Sequence, residues 1–289
     1  MAFNWRNHDN DTVEYHFNPR LSIPNAMDLL TGLPARSEAA RNSLTASLDV
    51  RYGDRPKETL DIFHATSDAL GSPPPVLIFI HGGYWRMMDK NDYSHMAADM
   101  VGEGISHISL NYDLCPSVTV TDIVDEIRTA IIYIYNNANS LKIDPDRIYL
   151  SGHSAGGHLT GMMLCEDWTT HGLPADVFKG AFPVSGVFDP SPIIRTSINE
   201  EVRLDDAIAE ANNALLGKPA CGGPVLAVVG GDEPEGFHRQ SEEFADLCKA
   251  NGVEIEVVSV DGTNHFTVVD EVFLKGGALY DRFLKTVKG

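Results

Sequence analysis

The chain has 289 residues, 43% of them hydrophobic and 22% charged, a balance that suits a soluble globular protein able to bury one large core. Its net charge of −19, from 22 basic and 41 acidic residues, argues against nucleic acid or an anionic membrane as a partner, because both need basic surface. It excludes no small substrate, since a pocket need not share the charge of the average surface.

In chain order, the opening MAFNWRNHDNDTVEYHF is polar and lacks the apolar centre of a secretory leader. Residues 1–47 read as a polar, partly helical arm broken by Pro24 and Pro34, with two expected uses: covering a site, or contact in a homodimer. LDVRYG (48–53) and TLDIFH (59–64) alternate apolar and polar residues, as a hairpin turning at DRPK would. Short apolar runs then alternate with helix-length segments. The runs are VLIFIH (76–81), ISHISLNY (105–112), RIYLSG (147–152), FKGAFPVSG (178–186), PVLAVVGG (224–231) and VEIEVVSV (253–260). Helices are expected near 92–103, 120–138, 155–167, 199–216, 236–251 and 266–286. This alternation predicts one α/β domain over 1–289, a mostly parallel sheet with helices on both faces and the leading hairpin as an antiparallel edge.

The chemistry concentrates at run ends. GHSAGG (152–157) is a G-x-S-x-G turn between strand and helix, the form of a nucleophile elbow. So tight a turn leaves no room for side chains at Gly152 and Gly156, while Gly157 permits close helix packing. The return is an exposed Ser154 hydroxyl at a helix N-terminus. A serine nucleophile needs a base, and His265 follows the last strand in DGTNHF; His238 falls instead within a helical segment. The acid should follow the preceding strand, where DEPEG offers Asp232, Glu233 and Glu235. Backbone donors for an oxyanion are expected from Ala155 and from the HGGYW loop, at Gly82, Gly83 and Tyr84. Trp85, Trp168 and Phe188, with Tyr84, are candidates for stacking on a substrate. His81 is expected to prop its loop, and His153 to be fixed beside the nucleophile. His81, His153 and His158 lack the carboxylate or cysteine spacing of a metal site, so no metal is expected. Nor do Cys115, Cys165, Cys221 and Cys248 form a C-x-x-C pair; reduced thiols in the cytoplasm are expected. No nucleotide-binding glycine motif occurs, and no cofactor is expected.

HGGYW, NYDLCPSVTVTDIVDEI, GHSAGGHL and EGFHRQS…GTNHF together resemble the kynurenine formamidase (arylformamidase) branch of the α/β-hydrolase superfamily, related to hormone-sensitive-lipase-type esterases. The similarity runs through most of the chain, including RYGDRPKETLDIF. It implies an α/β-hydrolase fold and a Ser-His-Glu/Asp hydrolase acting on small amides or esters, N-formyl-kynurenine being the name-giving substrate. The family places its acid four residues before the Phe of the F-x-R-Q-S segment; counting back from Phe237 gives Glu233, with Asp232 second. Gly236 departs from the family, which tends to carry Glu before that Phe. The alternatives are a general small-acyl carboxylesterase and, from another class, a hydrolase-fold binding protein without turnover. The expected partner is a small acyl substrate.

Overall fold

The computed structural model describes residues 3–66 and 72–289; the first two residues of the arm lie outside the described ones. Eight strands form one sheet: β1 Ala46–Arg51, β2 Thr59–Phe63, β3 Val76–Ile80, β4 Ser106–Leu110, β5 Ile148–His153, β6 Phe178–Val184, β7 Val225–Gly230 and β8 Ile255–Val260. The order is β1-β2-β4-β3-β5-β6-β7-β8. β1 and β2 pair antiparallel and β2 joins β4 antiparallel, while every later neighbour is parallel. This is the sheet of an α/β-hydrolase, and the hairpin at its edge is the one the alternation predicts.

In the arm lie α1 Asn10–Phe17, α2 Pro19–Ser22 and α3 Ala26–Ser43. α4 Ala97–Gly102, α5 Val120–Asn136, α6 Ala138–Leu141 and α7 Ala155–Leu164 follow within the parallel part. Then come α8 Asn199–Val202, α9 Asp206–Ala211, α10 Glu235–Ala250, α11 Val268–Phe273 and α12 Tyr280–Lys288. The period-two geometry of a strand divides the core between two faces. Ile78, Ile80, Leu150, Ala181, Ala227 and Val229 pack with Ile123, Ile127 and Ile131 of α5, Leu159 of α7 and Phe244 of α10. Leu77, Phe79, Phe182, Val184, Leu226 and Val228 face the other way, onto Met100 of α4, Val269 and Phe273 of α11, and Phe283 of α12.

Three helical expectations are broken up, one by a change of helix type and two where the backbone leaves the helical region. The segment near 92–103 begins as a 3-10 turn over Lys90–Met96, capped by Asp89 and Asp92, before α4. The 199–216 stretch splits after Val202, where Arg203 adopts φ 60°. The 266–286 stretch splits after Phe273, where Leu274 turns extended with ψ 142° and Gly276 follows at φ 96°, leaving α11 and α12.

The arm folds back over the sheet and is bound there by charge. Arg41 of α3 pairs with Asp61 of β2, which also lies 3.1 Å from Lys90 Nζ. Asp61 is completely buried and Lys90 nearly so, and Asp61 Oδ1 also accepts from the Asp49 amide at 2.8 Å. Arg36 of α3 meets Asp270 of α11 at 2.8 Å. Arg195 donates to Asn10 Oδ1 and to the carbonyls of Trp5 and His8 at 2.6–3.3 Å. Among the described residues no helix is long and apolar enough to cross a membrane, and the four cysteines are free.

Two predictions follow from these buried charges and rings. Asp61→Ala removes the buried carboxylate that Arg41 and Lys90 share and leaves the buried Lys90 ammonium only the exposed Asp49 carboxylate, 2.7 Å away. It should therefore cost about 3 kcal/mol in urea unfolding, the scale of removing one partner of a buried pair. A loss under about 1 kcal/mol would mean that the Asp49 carboxylate satisfies Lys90 without Asp61. His81 and His158 are pushed down to about 4 and His107 to about 3, in each case mainly by burial, against an ordinary 6.5. The folded chain therefore refuses protons that the unfolded chain accepts below 6.5. The stability from keeping these rings neutral is whole above that pH and is lost as pH falls toward 4. The urea midpoint should drop across this window, and His107→Asn, with one ring fewer, should drop less steeply. Equal slopes would show that His107 is not held neutral.

Candidate active site

Three strand ends bring the sequence motifs together. β5 stops at His153, and Ser154 turns the chain into α7 with φ 57° and ψ −115°, an angle pair that non-glycine residues adopt at a cost of about 1–3 kcal/mol. The Ser154 amide donates to Val184 O at 2.8 Å, tying the strained turn to β6. The glycines around it are sterically required. A Cβ on Gly152 would stand 2.2 Å from Gly156 O, and one on Gly156 would stand 2.0 Å from Ile80 O. On Gly157 it would meet Gly186 Cα at 2.8 Å.

Beyond β3 the HGGYW loop carries three consecutive residues with positive φ: Gly83 at 100°, Tyr84 at 48° and Trp85 at 56°. The Arg86 and Met87 amides both reach back to Gly83 O at 3.1 Å, which fixes this unusual run. His81 stands beneath it, stacked on Tyr112 with ring centres 4.1 Å apart, its ring nitrogens 2.8 Å from Gly82 O and 3.1 Å from Asn111 Oδ1. The loop is thus propped by His81, as its position suggested. Among the described residues no group accepts from the amides of Gly83, Tyr84 or Ala155, so these donors remain for a ligand.

After β7, Glu233 is buried while Asp232 faces solvent, its amide held by Thr263 O at 2.9 Å. Glu233 Oε2 lies 2.6 Å from His265 Nδ1. Its other oxygen, Oε1, accepts from Ser185 Oγ at 2.5 Å and from the Gly230 amide at 2.7 Å. With all its contacts donors, the carboxylate holds the proton of His265 on Nδ1 and leaves Nε2 as an acceptor. Ser185, itself at φ 48°, escaped the sequence reading. Its only signal was its place just beyond β6, beside the strand that presents Glu233.

His153 supports the same ring from below. Its Nε2 lies 2.7 Å from His265 O, a carbonyl, so Nε2 carries the proton and Nδ1 accepts from Tyr93 OH at 3.2 Å. Burial drives the His153 pKa well below its ordinary value, so the ring stays neutral.

Ser154, His265, His153, Gly83 and Tyr84 wall one cavity, together with Asn18, Pro19 and Arg20 of the arm, Leu30, Arg86, Met87, Met88, Tyr93, Ile198 and Phe266. It lies at the carboxyl ends of the parallel strands, where open α/β sheets bind ligands. The cavity volume is only about 40 Å³, so the space is a narrow slot. Ser154 is 3% exposed and His265 2%. No hydrogen bond joins the Ser154 hydroxyl to His265 among the described residues; such bonds often tighten only when substrate is bound. Gly82 lies under the elbow, where an added Cβ would come 2.8 Å from His153 O.

The stacking candidates lie elsewhere, apart from Tyr84. Trp85 is wholly buried behind the loop and donates Nε1–H to His158 Nδ1 at 3.2 Å. Trp168 packs edge-on to Phe178 and donates to Met163 O at 3.0 Å, while Phe188 stacks flat on Phe244 at 4.1 Å. All three belong to the core, which claims large aromatics before a cavity can. The slot is lined instead by Tyr84, Tyr93, Phe266 and two methionines, and its outer wall comes from the arm. The arm is pinned there by the Tyr84 hydroxyl, which donates to Phe17 O, and by Gly236. A Cβ on Gly236 would press on His16 O at 2.7 Å and on the Phe17 ring at 3.0 Å. The residue that departs from the family pattern is thus the one on which Phe17 rests. Among the described residues no group of three or more His, Cys, Asp or Glu is placed to hold a metal.

Known proteins resemble the chain over most of its length. The chain is 29% identical to kynurenine formamidase of Danio rerio over 296 residues, 98% of each chain, and 29% identical to that of Salmo salar over 282 residues, 93% of each. A solved structure from Silicibacter sp. tm1040 superposes with a TM-score of 0.79 at 28% identity, covering 96% of this chain and 99% of its own. Esterase B of Lactobacillus rhamnosis has the same fold, with a TM-score of 0.69 at 19% identity over 92% of this chain and 95% of its own. Residues 60–227 match the BD-FAE family, a stretch that holds the HGGYW loop and Ser154 and ends before Glu233 and His265. The chain belongs to the BD-FAE family.

Proposed function

We propose that this protein is a serine hydrolase of the formamidase type, in which Ser154, His265 and Glu233 cleave a small amide or ester through an acyl-enzyme. The observation that carries it is the buried Glu233–His265 hydrogen bond of 2.6 Å on the same cavity as the Ser154 elbow. His265 Nε2 takes the proton of the Ser154 hydroxyl as Oγ attacks the acyl carbon. The negative oxygen that develops is met by the amides of Gly83, Tyr84 and Ala155. His265 then gives its proton to the departing nitrogen or oxygen, and water repeats the sequence to free the acid and restore Ser154. The narrowness of the slot favours a small acyl group such as formyl or acetyl. The near full-length likeness to kynurenine formamidases supports an aryl formamide as substrate.

A carboxylesterase is the second reading. It is favoured by the esterase structures of the same fold and by a 26% identity to an isoprenylcysteine alpha-carbonyl methylesterase of Arabidopsis thaliana, over 82% of this chain.

A fluorophosphonate probe should label Ser154 stoichiometrically, and Ser154→Ala should abolish both labelling and turnover. A folded wild type that resists the probe would sink the hydrolase reading. Glu233→Gln should lower kcat by roughly 10³–10⁴, the scale of losing the tautomer-holding acid in such triads. Asp232→Asn, on the exposed side of the same loop, should stay within about twofold of wild type. N-formyl-kynurenine against 4-nitrophenyl acetate separates the two substrate readings. Turnover of the formamide is expected, and cleavage of the ester alone would leave the carboxylesterase.

A further inference from the structure

The cavity wall has the opposite sign to the rest of the molecule. The chain carries −19, yet the residues lining the slot include Arg20 and Arg86 and no aspartate or glutamate. Arg86 is already paired, with Glu201. Arg20 is not: its guanidinium is exposed, and it is seen bonded to Met87 Sδ at 2.8 Å and to no carboxylate among the described residues. A thioether is a weak acceptor, so most of the fork of Arg20 donors is still available.

Its position is fixed from both sides. Arg20 follows Pro19, whose ring sets its own φ, and lies three residues beyond Phe17, whose carbonyl is held by the Tyr84 hydroxyl and whose ring rests on Gly236. Met87, its partner, belongs to the segment that follows the HGGYW loop and also lines the slot. Ser154 lies deep and nearly inaccessible, whereas Arg20 is exposed on the arm. A small acyl group held at Ser154 therefore directs the larger, departing part of the substrate toward Arg20. Leu30, Met87, Met88 and Phe266 offer that part an apolar lining.

We infer that Arg20 selects substrates whose leaving group has an apolar body ending in a carboxylate, which replaces the Met87 sulfur on the guanidinium. A planar guanidinium binds a carboxylate through two parallel hydrogen bonds, which a lysine ammonium cannot reproduce. The inference rests on the serine-hydrolase reading above and names the substrate class of the same site.

The test uses two acetyl esters of equal shape, 4-acetoxybenzoate and 4-acetoxybenzamide, with the full-length protein. The quantity read is the ratio of their kcat/KM values. In the wild type the ratio should favour the benzoate and fall as salt is added, because screening weakens an exposed charge pair. Arg20→Ala should lower the ratio about tenfold, through KM for the benzoate; Arg20→Lys should retain part of the preference, and Arg20→Glu should invert it. A merely structural role for Arg20 would slow both esters together and leave the ratio where it was. That result, or a wild type indifferent to the carboxylate, would overturn the inference while leaving the hydrolase intact. Failure to cleave either ester, together with failure of the fluorophosphonate to label Ser154, would overturn both.

Discussion

The site depends on a backbone-to-backbone contact. The first turn of α7 lies against the end of β3 so closely that Gly156 has no room for a single carbon beyond its Cα, the Ile80 carbonyl oxygen being 2.0 Å from where it would stand. This contact sets the distance between two loops from different strands. One presents a hydroxyl, the other a run of unpaired amides. Any methyl group at Gly156 would push them apart, and oxyanion donors lose their value when displaced by even a fraction of a bond length. The strain at Ser154 is sustained by the same packing, with the Val184 carbonyl and the α7 turn holding it from opposite sides.

Around that fixed geometry the supporting polar groups are fully engaged with one another. Glu233 gives one oxygen to Ser185 and Gly230 and the other to His265. His153 spends both nitrogens, on Tyr93 and on the His265 carbonyl, and burial keeps it neutral. In a chain with 41 acidic residues, a slot free of carboxylates on its lining is notable as a local choice. The surface supplies solubility, while the interior of the site keeps the opposite preference.

How much of this could be read from the sequence follows from what each feature depends on. The meeting of Ser154, His265 and a carboxyl from the loop after β7 at neighbouring strand ends was legible because strand ends are marked by apolar runs and the elbow by its glycines, both local signals. Glu233 against Asp232 was not local: the two adjacent carboxyls differ only in which way the chain turns after β7, and the family resemblance was needed to choose. Trp85, Trp168 and Phe188 were assigned to the substrate on chemical type alone, but burial is decided by partners far along the chain, Phe188 by Phe244 and Trp168 by Phe178. Ser185 was invisible for the same reason, and for the arm, expected either to cover a site or to make a dimer contact, the sequence did not tell which of its residues line the slot. The helix breaks at Arg203 and Leu274 show a similar limit, because amphipathic spacing continues across a residue whose backbone has left the helix.

The arm also has a consequence in time. A chain is synthesised from its N-terminus, so residues 3–43 emerge before anything they will rest on. Their anchors are spread over Asp61, Asp189, Arg195, Ser197, Gly236 and Asp270. Arg41 finds Asp61 only twenty residues on, but Arg36 meets Asp270 across more than two hundred, and contacts so distant in the chain go with slow folding. Until the distant ones form, the strand ends and the serine between them stand open. The slot is complete only when an early stretch of the chain has come to rest on residues more than two hundred positions later.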